Sequence, residues 1–340
     1  TCMAAVFSNQ GLGYLLASLT MVILVPISSS ETCWRFALAF GAVIPMFSLF
    51  FRAQMHESKD FCKVKQLRQK SVESAGTLFT MKKYRWHVLG TALNWFLFDI
   101  LFYGNSMFNQ DITNIIQVGS GLEGKMLKTL IIVLMQLPGY YVAVFLINRM
   151  GRKNMQLMGF SMIGILFLIC GLTYDLLIEK APYVFLTIYG MTFFFSNFGP
   201  NATTYVIPGE IYPSQVKTTL HGVSAAAGKL GAALGTTIFP FFKPETPAGT
   251  RNVLLFCSLI SLLGLVATNF LTPRYAAEDL DNKISGETVG FVPLRWQKSA
   301  REAEVKEWEE SGCPHADSDF SSEDEASTQC SDDIEESGRM

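Results

Sequence analysis

The chain is predicted to be an all-α membrane protein, a bundle of long apolar helices, and three observations in its 340 residues carry that prediction. The first is where the charges are. Only 16% of residues are charged, against about 25% in ordinary globular chains, and residues 1–30 and 181–209 carry none. The second is a series of apolar stretches of membrane-spanning length. The third is that Lys and Arg concentrate in alternate connections between those stretches. The apolar fraction of 49% is unremarkable by itself. The net charge of −2 averages two unlike parts: residues 1–300 hold 24 Lys and Arg against 15 Asp and Glu, whereas residues 301–340 hold 3 against 14. An apolar body with basic connections and a separate acidic tail argues against a uniform soluble protein. It also argues against nucleic-acid binding through a global basic surface.

A helix needs roughly 17–25 apolar residues to cross the hydrocarbon core. Eight stretches meet or approach this: 3–27, 36–51, 87–104, 129–147, 155–173, 181–207, 218–242 and 252–271. A lipid-exposed sheet edge would leave backbone groups unpaired, so helices are the solution expected for all eight. The first is uncharged, and at about 25 residues it is too long for a signal-peptide core. The second is short, but Arg35 and Arg52 flank it and can extend toward the interface. The fourth contains Pro138-Gly139, and the sixth contains Gly199-Pro200 and Pro208-Gly209. Such residues are commoner in transmembrane helices than in soluble ones, and in the sixth they are expected to interrupt helical hydrogen bonding. The seventh places Gly231 and Gly235 four apart, which suits close helix packing.

The connection at 52–86 carries nine basic residues, and 148–153 adds Arg149, Arg152 and Lys153; the intervening loops are poorer. The positive-inside rule places these connections, and with them both termini, in the cytoplasm. The 52–86 loop divides the spans into two and six. Many transporters consist of two six-helix halves. On that plan 87–272 is a complete second half and 1–51 supplies the last two helices of a first. The chain begins with Thr and is expected to be a fragment that starts at the fifth of twelve helices. Past Thr272 it turns polar, with a surface helix expected at 294–310 and an acidic, disordered stretch at 317–337. Ser321 and Ser322 each have an acidic residue three positions on, a pattern that fits an acid-directed kinase as well as a plain solvating tail.

Ionisable residues inside a span are functional candidates, and two stand out. Trp95, Asp99 and Tyr103 recur every fourth residue, so one helix face offers a carboxylate between an indole N–H and a phenol O–H. Lys229 lies mid-span among small residues and is expected to be a buried ammonium with Asp99 or an anion as its partner. Gln10 and Asn201 are neutral amides that suit either ligand binding or interhelical bonding. His221 reads as structural. The seven cysteines include no C-x-x-C pair, and Cys170 and Cys257 read as small hydrophobes. The sequence shows no Walker loop, metal-ligand cluster or hydrolase elbow, so neither a cofactor nor an enzyme is expected.

At these residues the sequence resembles the major facilitator superfamily, and within it the phosphate:proton symporters of fungi and plants. The superfamily's loop signature is present as Asn148-Arg149-Met150-Gly151-Arg152-Lys153. The closer resemblance lies in AAVFSNQGLG around Gln10, NWFLFDILFYG around Asp99, FGPNATTYVIPGEIYPS around Asn201 and HGVSAAAGKLGA around Lys229, in that order over residues 3–272. The resemblance implies that Gln10, Trp95, Asp99, Tyr103 and Asn201 line a phosphate site, with Lys229 beside it. It implies that Asp99 couples proton to anion, since an ionised carboxylate would repel phosphate. Inorganic phosphate, protons and the lipid bilayer are then the partners, and the plasma membrane the expected location. Without four preceding helices the chain alone is not expected to transport. A permease for glycerophosphoinositol or another organic anion is the nearest alternative. A non-transporting phosphate sensor or an inert truncated product is the alternative from a different class.

Overall fold

The computed structural model describes residues 2–54, 75–107, 109, 112, 121–212, 217–242 and 246–273. The expected surface helix at 294–310, the acidic stretch at 317–337, Ser321, Ser322 and most of the basic 52–86 loop lie outside the described residues. Every described element is helical. Helix α1 is Cys2–Ile27 and α2 is Ser30–Ala53. Ser29 caps α2, its hydroxyl accepting from the Thr32 N–H at 3.3 Å, so the helix starts earlier than its apolar run. Arg35 pairs with Glu31 one turn before it, at 2.6 Å. Helix α3 is Ala75–Met107. It begins inside the segment expected to be loop, and 75–86 form its polar first turns. Helix α4, Gly121–Met150, runs through Pro138 and is joined to α5, Arg152–Leu172, by Gly151 at φ 81°. That left-handed conformation costs a glycine little.

A short helix not anticipated from the sequence, α6 at Tyr174–Lys180, leads into α7 at Pro182–Ser196. The sixth expected span is broken where Gly199-Pro200 predicted. A π-helical turn at Asn197–Asn201, with Gly199 at φ −107° and ψ −106°, separates α7 from α8, Ala202–Ile211. Gly159 of α5 sits against Gly199 and Pro200, where a β-carbon would collide with both. Pro208, by contrast, is accommodated within α8. Helix α9 is Lys217–Ile238, followed by a 3₁₀ turn at Phe239–Phe242, and α10 is Pro247–Leu271 with Thr246 as its N-cap. Each expected span thus coincides with a helix, except that 181–207 is two helices joined by the π turn and the last four residues of 218–242 form the 3₁₀ turn.

Five helices among the described residues are long and apolar enough to cross a membrane: α1, the Glu31–Ala53 part of α2, α4, α5 and α10. The α7–α8 pair is cut into pieces of 15 and 10 residues. Helices α3 and α9 carry polar and small residues that serve the interior. The main core joins Phe98 of α3, Phe160 and Phe167 of α5, Phe185 and Tyr189 of α7 and Leu254 of α10. Cys170 and Cys257 belong to this core, as small hydrophobes. Outward, large apolar residues such as Phe47, Phe145 and Phe270 are exposed, while Asn94, Gln136, Gln156, Asn197 and Asn201 are buried. A polar interior inside an apolar surface is the pattern of a chain surrounded by lipid.

The α3–α9 contact is the most extensive between described helices. Gly231 faces the backbone of Phe96 and Gly235 that of Ile100, as the small-residue spacing predicted. Gly228 lies against the Trp95 indole on the same face. These contacts bring α9, and with it Lys229, against the face of α3 that carries Asp99.

Candidate functional site

Two polar clusters meet where α1, α3, α4, α8 and α9 converge. In the first, Asp99 is buried on α3 while Lys229 reaches over it from α9. The Lys229 Nζ lies 3.8 Å from Asp99 Oδ2, too long for a hydrogen bond, and that oxygen has no hydrogen-bond partner. Instead Lys229 donates to the Tyr103 hydroxyl at 3.2 Å and sits 4.9 Å from the Tyr103 ring centroid. The expectation of a buried ammonium is corrected here, for the Lys229 side chain is 66% exposed. The glycine face of α9 packs against α3, which leaves Lys229 at the edge of the contact. Its expected partner, Asp99, is nevertheless the one it faces.

In the second cluster Gln10, Asn201 and Tyr140 form a triangle. The Tyr140 hydroxyl donates to Gln10 Oε1 at 3.2 Å. Asn201 Nδ2 donates to Gln10 Oε1 at 3.3 Å, to the Tyr140 hydroxyl oxygen at 3.2 Å and to Asn197 Oδ1 at 2.7 Å. The π turn makes this possible by setting Asn197 and Asn201 on one buried face at the end of α7. Tyr14 stands one turn beyond Gln10 on α1, on the same face of that helix.

Trp95 occupies a third position, within an aromatic layer rather than beside the amides. Its ring meets those of His221 at 5.7 Å and Tyr205 at 6.5 Å, nearly perpendicular to both. Phe7 of α1 stacks on Tyr205 at 5.1 Å. Phe7 precedes Gln10, Trp95 precedes Asp99, Tyr205 follows Asn201 and His221 precedes Lys229. All four rings therefore lie on the same side of the polar clusters, toward the end that carries the basic 148–153 loop. At that end Arg152 makes a bidentate pair with Glu210 of α8, at 2.6 and 2.9 Å. Lys153 donates to the carbonyl oxygens of Asn269 and Thr272, closing the C-terminus of α10 at 2.7 and 2.6 Å.

Of the six expected site residues, Asp99, Tyr103 and Lys229 thus come together in one group and Gln10 and Asn201 in another, while Trp95 lies in the aromatic layer. The sequence reading missed Tyr14, Tyr140, Asn197 and the aromatic partners of Trp95. Tyr14 and Asn197 had a readable signal, since each stands four residues from a chosen amide on the same helix. Tyr140 had none beyond its place after Pro138-Gly139. Among the described residues no group of His, Cys, Asp and Glu could hold a metal ion.

A helical bundle with membrane-spanning helices around a polar interior is the class that this structure defines. A family model described as "Sugar (and other) transporter" matches residues 62–282, and the chain belongs to that family. It is 32% identical over 346 residues to the probable inorganic phosphate transporter 1-6 of Arabidopsis thaliana, covering 84% of this chain and 66% of that protein. The low affinity inorganic phosphate transporter 1 of Petunia hybrida is also 32% identical, over 355 residues with the same coverage. The chain therefore spans about two thirds of the length of the curated relatives it matches. Among solved structures, the major facilitator superfamily proton:xylose symporter XylE bound to 6-bromo-6-deoxy-D-glucose superposes with a TM-score of 0.64 at 15% identity, covering 83% of this chain and 66% of that one. The fold is that of the major facilitator superfamily, and the chain, a member of a transporter family, has several helices long and apolar enough to cross a membrane.

Proposed function

We propose that the protein is a secondary active transporter that carries inorganic phosphate together with protons by alternating access. The carrying observation is the pairing of a buried, hydrogen-bond-free Asp99 carboxylate oxygen with a Lys229 ammonium only 3.8 Å away. Lys229, the Tyr103 hydroxyl, the Trp95 indole and the Gln10 amide supply donors for an oxyanion, while Asn201 spends its own donors on Asn197, Gln10 and Tyr140 beside it. An ionised Asp99 would repel that anion at close range, so anion and proton load together, and loss of the proton expels the anion. Relatives named as inorganic phosphate transporters support the choice of anion. In this reading α1 and α2 belong to one six-helix half, 52–86 is the connecting loop and 87–272 form the other half. The 273–340 segment is a cytoplasmic tail, and the basic loops and both ends of the chain face the cytoplasm of a plasma-membrane protein. The aromatic layer of Phe7, Trp95, Tyr205 and His221 then closes the cytoplasmic side of the site.

The test is labelled phosphate uptake by cells expressing the whole protein across an acid-to-neutral external pH series. Uptake should rise as external pH falls, and Asp99→Asn should abolish that dependence. Uptake indifferent to both pH and Asp99→Asn would overturn the reading. Strong competition by excess glycerophosphoinositol would reassign the anion.

A further inference from the structure

We infer that Tyr140 is a positioning residue, the junction of an amide relay that turns the donor end of Gln10 toward the bound anion. The inference rests on the phosphate reading above and extends it to residues that reading does not use. The relay is anchored on a group that cannot be reversed. The Gln136 backbone carbonyl only accepts, and Asn197 Nδ2 donates to it at 3.4 Å. Asn197 therefore presents Oδ1 to its other neighbour, Asn201, which must answer with Nδ2 at 2.7 Å. The second Nδ2 hydrogen of Asn201 is shared between Gln10 Oε1 at 3.3 Å and the Tyr140 hydroxyl oxygen at 3.2 Å, so Gln10 shows its oxygen. Tyr140 completes the selection, donating its own hydrogen to the same Gln10 Oε1 at 3.2 Å while accepting from Asn201 at 3.2 Å.

Each amide orientation thus follows from the one before it, and the last in the series leaves Gln10 Nε2 free of protein partners among the described residues. A reversed Gln10 would set hydrogen against hydrogen at Asn201 and show a carbonyl oxygen to an anion. The result is selectivity by orientation: an amide that could accept or donate is held so that only its donor is offered.

The placement of Tyr140 fits this role. It is 1% exposed, so its hydroxyl requires protein partners. Its ring fills the space where Gly11, the neighbour of Gln10, has no side chain; a β-carbon there would stand 2.6 Å from the ring. Helix α1 therefore approaches α4 closely enough for Gln10 to reach the relay only because residue 11 is glycine.

Equilibrium binding of labelled inorganic phosphate to the purified whole protein tests this, using Tyr140→Phe, Gln10→Met and the double variant, with transport KM and kcat measured beside it. Tyr140→Phe should weaken phosphate binding about five- to tenfold, the worth of one lost hydrogen bond. It should raise KM by a similar factor and leave kcat within about twofold. In the Gln10→Met background, Tyr140→Phe should change binding by less than about twofold, because there is no amide left to orient. Equal losses in both backgrounds would show Tyr140 acting on the anion or on packing and would overturn the inference. So would undiminished binding in Tyr140→Phe when the wild type binds phosphate, which leaves the phosphate reading intact. A wild type that binds no phosphate would remove the phosphate reading and the inference together.

Discussion

At the scale of single residues, the account turns on two charges that are close without being bonded. Lys229 is 3.8 Å from Asp99 and keeps its hydrogen bond for Tyr103. An anion that arrives between them meets an ammonium already oriented by a phenol. Lys229→Met removes that donor and keeps the bulk, and should raise the KM for phosphate about tenfold. This is the low end for a charge-assisted hydrogen bond, in keeping with a side chain that is two-thirds exposed. Uptake kinetics with surface level measured in parallel would check it, and an unchanged KM would remove Lys229 from the site. The sequence showed both charges because an ionisable residue in an apolar run stands out. Tyr140 did not stand out, because within LPGYYVAVFL a tyrosine contributes bulk as well as a hydroxyl, and only the fold shows which neighbour that hydroxyl meets. The exposure of Lys229 was likewise hidden. It depends on which face of α9 the glycines turn toward α3.

At the scale of helices, small residues decide which elements meet. Gly231→Leu would drive a branched side chain into the Phe96 backbone and should destabilise the bundle by about 1–3 kcal/mol. Gly222→Leu on the same helix, where a β-carbon meets nothing within 4 Å, should leave stability unchanged. Melting temperatures of the two variants in detergent, followed by size-exclusion fluorescence, make the comparison. At the basic end, Glu210→Gln should cost about 1 kcal/mol by breaking the bidentate pair with Arg152, whose partners remain roughly 30% exposed. The exchange Arg152→Glu with Glu210→Arg should recover part of that loss in the same assay. Most of the helices were legible as apolar runs, and the break in the sixth span was legible from Gly199-Pro200. The early start of α3 was not. Residues 75–86 carry Lys82, Lys83 and Arg85, and a charged segment outside the bilayer has no apolar periodicity to separate helix from loop. The short α6 escaped notice for a related reason, since seven residues are too few to establish a period.

At the scale of the whole molecule, the fold collects the two polar clusters on the facing sides of α1 and of the helices that follow residue 75. At one end four aromatic rings, those of Phe7, Trp95, Tyr205 and His221, pack together. Helix α1 reaches the site through the close contact at Gly11, and Gln10 is the α1 residue that joins the Asn201–Tyr140 group. In the proposed reading α1 and α2 belong to a different half from the helices after residue 75, and a site shared between two such halves can open to either side as they rock, which is what alternating access requires. The acidic tail was read as separate from its composition alone, and it lies outside the described residues. The central claim is that one proton-dependent gate at Asp99 governs phosphate movement. Its most direct test is the whole protein reconstituted in liposomes, with labelled phosphate equal on both sides and a proton gradient imposed. Phosphate should accumulate against its gradient toward the alkaline side, lose that accumulation when a protonophore is added, and only equilibrate in Asp99→Asn. Phosphate that merely equilibrates in the wild type, with or without the proton gradient, would contradict the account.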